Sequence, residues 1–561
     1  MSPVSQQCEL GCVQRILLFV VLVGVAWLAT VAPNPPAPTP ADAPAAGFSA
    51  ERALVHVRAI AQTPHPLGSQ ADTAVCDYIA EQLRALGLAV EVQSFPVQVG
   101  GREATGANLM ARIPGVGAPN RPSRAIALVC HHDSVPAGPG ASDDGAAVAA
   151  LIETARALKA GPRLQNDIIL LFTDGEEAPA LSGARAFAAG CPWMKDLRLV
   201  LNFEARGVSG PVFMFETGAG NGPVIREFAR AAPRPVANSL MDEVYRRMPN
   251  DTDFTVFKQA GLPGLNFAFI GDARHYHAPT DDIAHLSLRS LQHQGAYALS
   301  LARHFGNLDL AALHGPDAVY FDLFGRWLVH YPSGWAILLA LLAAISFLGV
   351  AAVWIRSGKV TAAKLFLACL TWAAIPLVVG TAFGLSYELL NPLWRVAPAW
   401  FGKFLAERYW LVAVALTVMI GTTLHATLGR WIAPAELALG SWFWWLIVAV
   451  ATAIWMPGAS YVGLWPLLFG LFGTLVVSGL CKTSWSQFLW LGVSAVPVMV
   501  LIMPLVRGFY VALGPRAVLI PMVVLAFALG ALSLQIEAIS GNRRWLLPAT
   551  GLLVALVAVI V

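Results

Sequence analysis

The polar motifs of this chain begin with CHHDS at residues 130–134, which SDDG follows at residues 142–145. Zinc binds imidazole nitrogen and carboxylate oxygen at about 2.0 to 2.2 Å, so His131 and Asp143 can share one metal ion, and a second ion can share Asp143. In the alternative interpretation, HHD is a polar loop and the paired aspartates cap a helix. Asp133 and Asp144 are expected to lie behind the ligands and orient them. Asp133 would do so by accepting the free ring proton of His131.

The next motif is FTDGEE at residues 172–177. Adjacent acidic residues repel unless a cation lies between them, so Glu177 is a candidate metal ligand. Glu176 would then remain beside the metal as the base that takes a proton from water, whose pKa zinc lowers toward about 7. A solvated acidic turn is the alternative.

Two more motifs are NFEARG at residues 202–207 and RHYHAPTDD at residues 274–282. They add the candidate ligands Glu204 and His277. A two-zinc site needs mixed nitrogen and oxygen ligands from several loops, and the four regions together supply two histidines, three acids and a spare base. This combination favours a metal-dependent hydrolase.

Four other residues are interpreted as structural. Asp253 is expected to act as a capping or turn residue in a loop that leads into a helix. Cys130 is expected to be a buried strand residue, since free cysteine is commonly buried. Cys76 and Cys191 could pair in an oxidising compartment, but spacing alone leaves that open.

Residues 48–310 carry the alternating pattern that would position these motifs. Periodic apolar residues at 146–158 predict a helix, and short apolar runs predict buried strands. Strands separated by helices imply an α/β fold, a mostly parallel twisted sheet with helices on both faces. Such sheets place their sites at the carboxyl ends of the strands, where the motifs occur. The predicted strands are 125–130, 167–172, 197–203 and 264–269.

The composition predicts a large lipid-facing fraction. Of the 561 residues, 57% are hydrophobic and 13% are charged, against about 25% charged in ordinary soluble domains. The net charge of +3 and the lack of a basic stripe exclude a nucleic-acid partner. We therefore expect a lipid bilayer as one partner, and homo-oligomerisation stays open.

The amino-terminal residues 1–32 are predicted to form a transmembrane anchor, because residues 16–32 are uncharged and long enough to span a bilayer. A cleaved signal peptide is the alternative. Proline-rich residues 33–47 are expected to be an extended linker.

After a second linker at residues 311–333, residues 334–561 are predicted to form a transmembrane domain of about eight helices. Nine spans in all, with an error of one, satisfy the positive-inside rule if the motif-bearing domain is extracytoplasmic. The periplasmic side of a bacterial inner membrane is favoured, although a eukaryotic lumen fits the same rule. The eight predicted spans are 334–355, 365–386, 410–428, 441–457, 460–480, 486–506, 517–536 and 545–561.

The order of motifs across residues 120–285 resembles the zinc aminopeptidase family, metallopeptidase family twenty-eight, which includes bacterial secreted aminopeptidases and glutamate carboxypeptidases. NFEARG, NDTDF at residues 250–254 and the carboxyl-terminal spans make the chain most similar to its multi-spanning branch, that of the endoplasmic reticulum metallopeptidase and vacuolar membrane protease. The resemblance implies a zinc-peptidase fold of the phosphorylase/hydrolase-like type and two Zn²⁺ per chain.

Carried over by motif, the resemblance implies that Asp143 bridges the two zinc ions. Glu177 and His277 complete one site, and His131 and Glu204 complete the other. Glu176 is then the general base. Tyr276, which precedes the last histidine, resembles the family's oxyanion-stabilising tyrosine. Many secreted relatives have Asp at the position of Glu204, so this longer side chain could alter the second site.

The predicted function is therefore a membrane-bound metallopeptidase that cleaves peptide substrates, of aminopeptidase type, through a metal-bridging water activated by Glu176. Carboxypeptidase or dipeptidase activity stays open on spacing alone. One alternative is a non-catalytic binding or assembly domain, although such descendants usually lack part of the ligand set. The other is an accessory domain of a transporter, although the spans after residue 330 carry almost no charge within their apolar centres.

Overall fold

The computed structural model describes residues 10–117, 124–178, 180–396, 408–479 and 481–560. The chain divides into two compact units, Pro33–Ser333 and the combination of Met1–Ala32 with Gly334–Val561. The first nine residues of the predicted anchor lie outside the described residues, as do residues 480 and 561 at the ends of two predicted spans.

Within the described residues, the unit Pro33–Ser333 is built on a seven-stranded sheet in the order β1-β2-β4-β3-β5-β7-β6. Strands β3, β4, β5 and β7 run parallel to one another, and β1, β2 and β6 join antiparallel at the two edges. The strands are β1 (Val90–Val99), β2 (Arg102–Ile113), β3 (Ala125–His131), β4 (Asp167–Thr173), β5 (Leu197–Ala205), β6 (Ser209–Thr217) and β7 (Gly264–Gly271).

The α/β class is confirmed, and the sheet is mixed rather than parallel throughout. The four central strands are the four predicted ones, and each is apolar and buried because helices cover both of its faces. The edge strands β1 and β2 form a hairpin because Gly100 and Gly101, both at positive φ, close a tight turn between them. Parallel pairing would need a much longer crossover.

Helices pack on both faces of this sheet. Alternation along β3 sends Ile126 and Leu128 into a core with helices α2, α3, α4 and α9, and sends Ala127 and Val129 into a second core with α5 and α8. The helices of this unit are α2 (Ala50–Ile60), α3 (Gln70–Ala85), α4 (Gly145–Lys159), α5 (Ser182–Gly190), α6 (Gly222–Ala231), α7 (Ser239–Tyr245), α8 (Asp253–Gln259) and α9 (Leu288–Phe305), numbered after α1 (Cys12–Val31) of the other unit.

The predicted linker at residues 311–333 contains a β-hairpin. Strands β8 (Ala318–Leu323) and β9 (Trp327–Pro332) pair antiparallel, and Val319 and Tyr320 are buried. The hairpin packs on α6 and α7, and Tyr320 accepts a hydrogen bond from Ser239. The segment folds with the domain because its apolar side chains have a surface to bury against.

The second unit is helical. Among the described residues, seven helices are long and apolar enough to cross a membrane, or eight if a bent pair counts as one span. Besides α1 they are α10 (Trp335–Arg356), α11 (Ala362–Val396), α12 (Tyr409–Leu428), α13 (Pro434–Trp455), α14 (Ser460–Gly479) and the continuous run of α15 (Ser484–Pro497), a π-helical turn and α16 (Met503–Leu513).

The last two predicted spans differ from straight transmembrane helices. The span predicted at 517–536 consists of α17 (Leu519–Ala531) and α18 (Ser533–Ser540), which meet at a bend of 70°. The final helix, α19 (Leu546–Ile560), is apolar but shorter than the others. The count of nine spans therefore stays a prediction.

Candidate metal centre

The candidate ligands lie at the carboxyl ends of the central strands. His131 ends β3, the turn with Glu177 follows β4, and Glu204 lies near the end of β5. Asp143 precedes α4, and His277 follows β7 after a short turn. Because parallel strands end at the same edge of a sheet, residues far apart in sequence meet there.

The structure brings all five together around Asp143. One carboxylate oxygen of Asp143 lies 3.3 Å from Nε2 of His131, and the other lies 3.2 Å from Nε2 of His277. His131 Nε2 is also 3.5 Å from Oε2 of Glu204, and His277 Nε2 is 2.8 Å from Oε1 of Glu177. Asp143 therefore lies between two groups of side chains, His131 with Glu204 and His277 with Glu177, which are the two half-sites that the resemblance implies.

The turn that carries Asp143 is held by Asp281. The carboxylate of Asp281 accepts the backbone N–H groups of Ser142 at 2.8 Å and Asp143 at 3.1 Å. Asp281 is itself buried. The sequence does not reveal this role, because Asp281 stands there only as one residue of the last histidine motif. The one signal in the sequence that could have indicated this role is the position of Asp281, four residues after the candidate ligand His277.

Asp133 orients two parts of the site at once. Its backbone carbonyl oxygen lies 2.9 Å from Nδ1 of His131, while its carboxylate lies 3.5 Å from that nitrogen. The carboxylate instead accepts the backbone N–H groups of Glu176 and Glu177, at 3.1 and 3.2 Å. Asp133 therefore fixes the ring mainly through its carbonyl and holds the Glu176–Glu177 turn through its side chain.

Asp144 lies closer to the ligands than predicted. Its carboxylate is within 4.8 Å of ligand atoms of His131 and Glu204. Asp144 occupies the cap position of α4, yet its side chain makes no capping hydrogen bond there. The helix-cap interpretation of the paired aspartates therefore does not account for this residue, which adds a third acid, besides Asp143 and Glu204, to the half-site of His131.

Asp253 does not cap α8 either. Thr252 caps that helix, and the buried carboxylate of Asp253 accepts a hydrogen bond from the hydroxyl of Thr173, the last residue of β4. The expected capping role was wrong because the preceding threonine supplies a cap of its own. Asp253 instead ties α8 to the strand that leads into the Glu176 turn.

Tyr276 lies beside the half-site of Glu177 and His277. Its ring stacks on the ring of His277 with the centroids 3.7 Å apart, and the guanidinium of Arg206 lies 5.9 Å from its centroid. His277 has φ of 54°, in the left-handed region that non-glycine residues seldom adopt. Such backbone strain is concentrated at functional sites.

The ionisable groups of the cluster perturb one another. Burial alone would raise the pKa of Asp143, but hydrogen bonds from His131 and His277 lower it to about 2. Burial raises the pKa of Glu177 to about 7 despite its contact with His277. Burial and the nearby charge of Glu204 raise the pKa of Glu176 well above its usual range. The cluster thus holds more buried carboxylates than the two histidines can neutralise.

This donor set fits divalent cations. Both carboxylate oxygens of Asp144 are buried and have no hydrogen-bond partner among the described residues. Buried charges of one sign are costly unless they are paired or coordinate a metal. Imidazole and carboxylate groups are the ligands that zinc takes in hydrolytic sites. Fold and cluster together define an α/β domain with a candidate two-metal centre.

A model of Peptidase family M28 matches residues 108–302, which contain every candidate ligand. These residues form a Peptidase family M28 domain, and the resemblance read from the motifs is confirmed.

Similar proteins include the mouse (Mus musculus) endoplasmic reticulum metallopeptidase 1, 30% identical over 303 residues, which are 50% of this chain and 33% of that protein. The vacuolar membrane protease of Eremothecium gossypii is 30% identical over 49% of this chain and 29% of its own length. The chain therefore spans about a third of the length of these relatives.

Among solved structures, the aminopeptidase from Aneurinibacillus sp. strain AM-1 is similar at 14% identity and a TM-score of 0.39, over 48% of this chain and 97% of that one. A zinc aminopeptidase from Bacillus subtilis is similar at 16% identity and a TM-score of 0.38, over 47% and 97% of the two chains.

Proposed function

We propose that this chain is a membrane-bound, zinc-dependent peptidase of aminopeptidase type that holds two zinc ions. The observation that carries the proposal is the chain of contacts, each 3.5 Å or shorter, that joins both histidines and three acids through Asp143. His131 and Glu204 would hold one ion, Glu177 and His277 the other, and Asp143 both. Bound zinc polarises the scissile carbonyl and lowers the pKa of the attacking water.

The protein's own groups perform the proton transfers. Glu176 takes the proton of the attacking water and returns it to the leaving amine. Its turn is held rigid because Asp133 accepts two successive backbone N–H groups from it. The phenol of Tyr276 donates a hydrogen bond to the oxygen that becomes negative as the carbonyl is attacked.

The surplus of carboxylates supports amino-terminal specificity. Asp143, Asp144, Glu176, Glu177 and Glu204 would together carry five negative charges against the four positive charges of two zinc ions. The remaining negative charge would attract a protonated substrate amine and repel a free carboxylate. We expect cleavage at the first peptide bond of unblocked peptides, and loss of cleavage when the amino terminus is acetylated. Equal cleavage of both peptides would exclude aminopeptidase specificity.

The membrane location is also part of the proposal. The apolar helices support an integral membrane protein. The positive-inside pattern supports about nine spans and an extracytoplasmic peptidase domain, on the periplasmic side if the chain is bacterial.

The experiment is Glu176→Gln in the detergent-purified full chain. Glutamine keeps the size of the side chain but cannot accept the proton, so we expect a loss of about 10²- to 10⁴-fold in kcat with the same metal content as the wild-type chain. The control is Glu103→Gln, because Glu103 is an exposed carboxylate on β2 of the same domain. Full activity in Glu176→Gln would exclude the general-base role. Hydrolysis that survives complete chelation would exclude zinc dependence.

A further inference from the structure

A second cluster of metal-binding side chains lies on the other side of β3. It consists of Asp72 and Cys76 on α3 and His132, the residue after the last one of β3. Asp72 and Cys76 are four residues apart, so both side chains lie on one face of the helix. His132 faces away from His131 because successive side chains of a strand point to opposite faces.

The contacts of His132 leave one ring nitrogen for a ligand. Nε2 of His132 lies 3.1 Å from the backbone oxygen of Ala107, which fixes the ring if that nitrogen carries the proton. Histidines that bind metals usually donate their other N–H to such an acceptor. Nδ1 then has a lone pair, and it lies 3.3 Å from Oδ1 of Asp72 and 4.0 Å from Sγ of Cys76. Sγ lies nearer to Nε2, at 3.5 Å, so the thiol would have to turn toward Nδ1 to share an ion with it.

Only one of the two carboxylate oxygens of Asp72 accepts a hydrogen bond among the described residues. Its Oδ2 accepts the backbone N–H of Gly68 at 3.0 Å, but Oδ1 is buried and has no hydrogen-bond partner among the described residues. Asp72 is 4% exposed and His132 is 1% exposed, so solvent does not replace that partner. Oδ1 faces Nδ1 of His132 at 3.3 Å, in an ion-pair contact.

The three donors could fill three of the four positions around a tetrahedral ion, with water in the fourth. With bonds of about 2.0 Å to nitrogen and oxygen and about 2.3 Å to sulfur, tetrahedral angles place nitrogen and oxygen about 3.3 Å apart and nitrogen and sulfur about 3.5 Å apart. The observed nitrogen–oxygen distance between His132 and Asp72 is 3.3 Å. The observed nitrogen–sulfur distance between His132 and Cys76 is 4.0 Å, so Sγ would have to move about half an ångström. Asp, thiolate and neutral His would balance the charge of a divalent ion.

We propose that Asp72, Cys76 and His132 bind an additional zinc ion with a structural role. The ion would tie α3 to the end of β3 and thus support the neighbouring residue His131. The pairing of Cys76 with Cys191 that the sequence left open does not occur in the structure, because both thiols are free and Cys191 contacts Met110.

The test uses the full chain with Co²⁺ in place of Zn²⁺, because a thiolate bound to cobalt gives a charge-transfer band in the near ultraviolet. The residues of the candidate two-metal centre include no cysteine, so that centre gives no such band. We expect the band in the wild-type chain, and its loss together with one metal ion per chain in Cys76→Ser. The control Cys191→Ser should keep both.

Any of three outcomes would overturn the proposal. One is a wild-type chain without the thiolate band, a result that does not depend on the folding of any variant. Another is a folded Cys76→Ser variant that keeps the band and the full metal content. A thiol that reacts with iodoacetamide equally fast before and after chelation would also exclude the site. Each of these results leaves the proposed peptidase activity unaffected, since that activity is read by peptide hydrolysis.

Discussion

His131 and His132 are adjacent in the chain but belong to two different clusters. His131 enters a cluster of carboxylates that is open to solvent on one side, where the His277 side chain is 37% exposed. His132 enters a smaller cluster with a thiol, a single acid and closed surroundings. Catalytic zinc sites keep an open position for water or substrate, whereas structural sites are closed. The direction of its side chain therefore decides which kind of site each histidine can join.

The largest effect is expected from Asp143→Asn. A neutral amide in place of the shared carboxylate weakens both half-sites at once, so we expect the loss of both ions from that centre and a fall in kcat beyond about 10⁴-fold. The thiolate–cobalt band should survive, because the Cys76 cluster does not contain Asp143. Metal analysis, absorption spectra and peptide hydrolysis measure the three quantities. A band that disappears with Asp143 would show that the two clusters are not independent.

A smaller effect is expected from Asp281→Asn. Asparagine can accept only one of the two N–H groups that Asp281 holds, and its own NH₂ would face the other. Loss of such support for a ligand typically costs about 10- to 100-fold in metal affinity or activity. Zinc titration against a chelator, together with kcat and KM, would measure it.

The matched control is Asp282→Asn. Asp282 is the next residue, and its carboxylate bonds to His285 and to the backbone of Ala284 rather than to the Asp143 turn. Its zinc affinity should equal that of the wild type. If the two variants behave alike, Asp281 has no positioning role.

The smallest effect concerns His293, a buried histidine outside both clusters. Nδ1 of His293 accepts the backbone N–H of Val212 at 3.1 Å, and Nε2 lies 3.0 Å from the backbone oxygen of Arg234. Burial lowers the pKa of His293 to about 4, and the charge of Arg234 adds to this. Both nitrogens of a neutral His293 ring are thus satisfied without a metal.

The sign of the pH effect follows from this lowered pKa. Between pH 6.5 and pH 4 the unfolded chain binds the proton and the folded chain does not, so stability falls as the pH falls through this window. From pH 6.5 to pH 5 the loss is on the order of 2 kcal/mol. In His293→Gln, whose amide can replace both hydrogen bonds, we expect a weaker fall of Tm on acidification and unchanged metal content. The same pH dependence in both chains would exclude His293 as its source.

The apolar runs were sufficient to predict the four central strands, whereas the division of the ligands into two half-sites came from the resemblance to a known family and stays a prediction. Buried parallel strands leave a strong apolar signal, and their carboxyl ends carry the polar residues. The edge strands and the β8–β9 hairpin were not predicted, since half-exposed strands carry a weaker pattern. The role of Asp281 was not predicted because it accepts hydrogen bonds from backbone N–H groups. Every residue except proline has such a group, so no residue type in the sequence indicates the contact.

The sequence by itself determined the class of the domain, its family and the five candidate ligands, because residue type and spacing in strand-end motifs limit the chemistry that can occur there. Only the tertiary structure decided which atoms lie close together. It placed Asp143 between two histidines, turned the carboxylate of Asp133 toward the Glu176 turn, and brought Asp72 and Cys76 from α3 to His132. The physical reason is that residue type is a local property, whereas the distance between donors depends on how strands and helices pack.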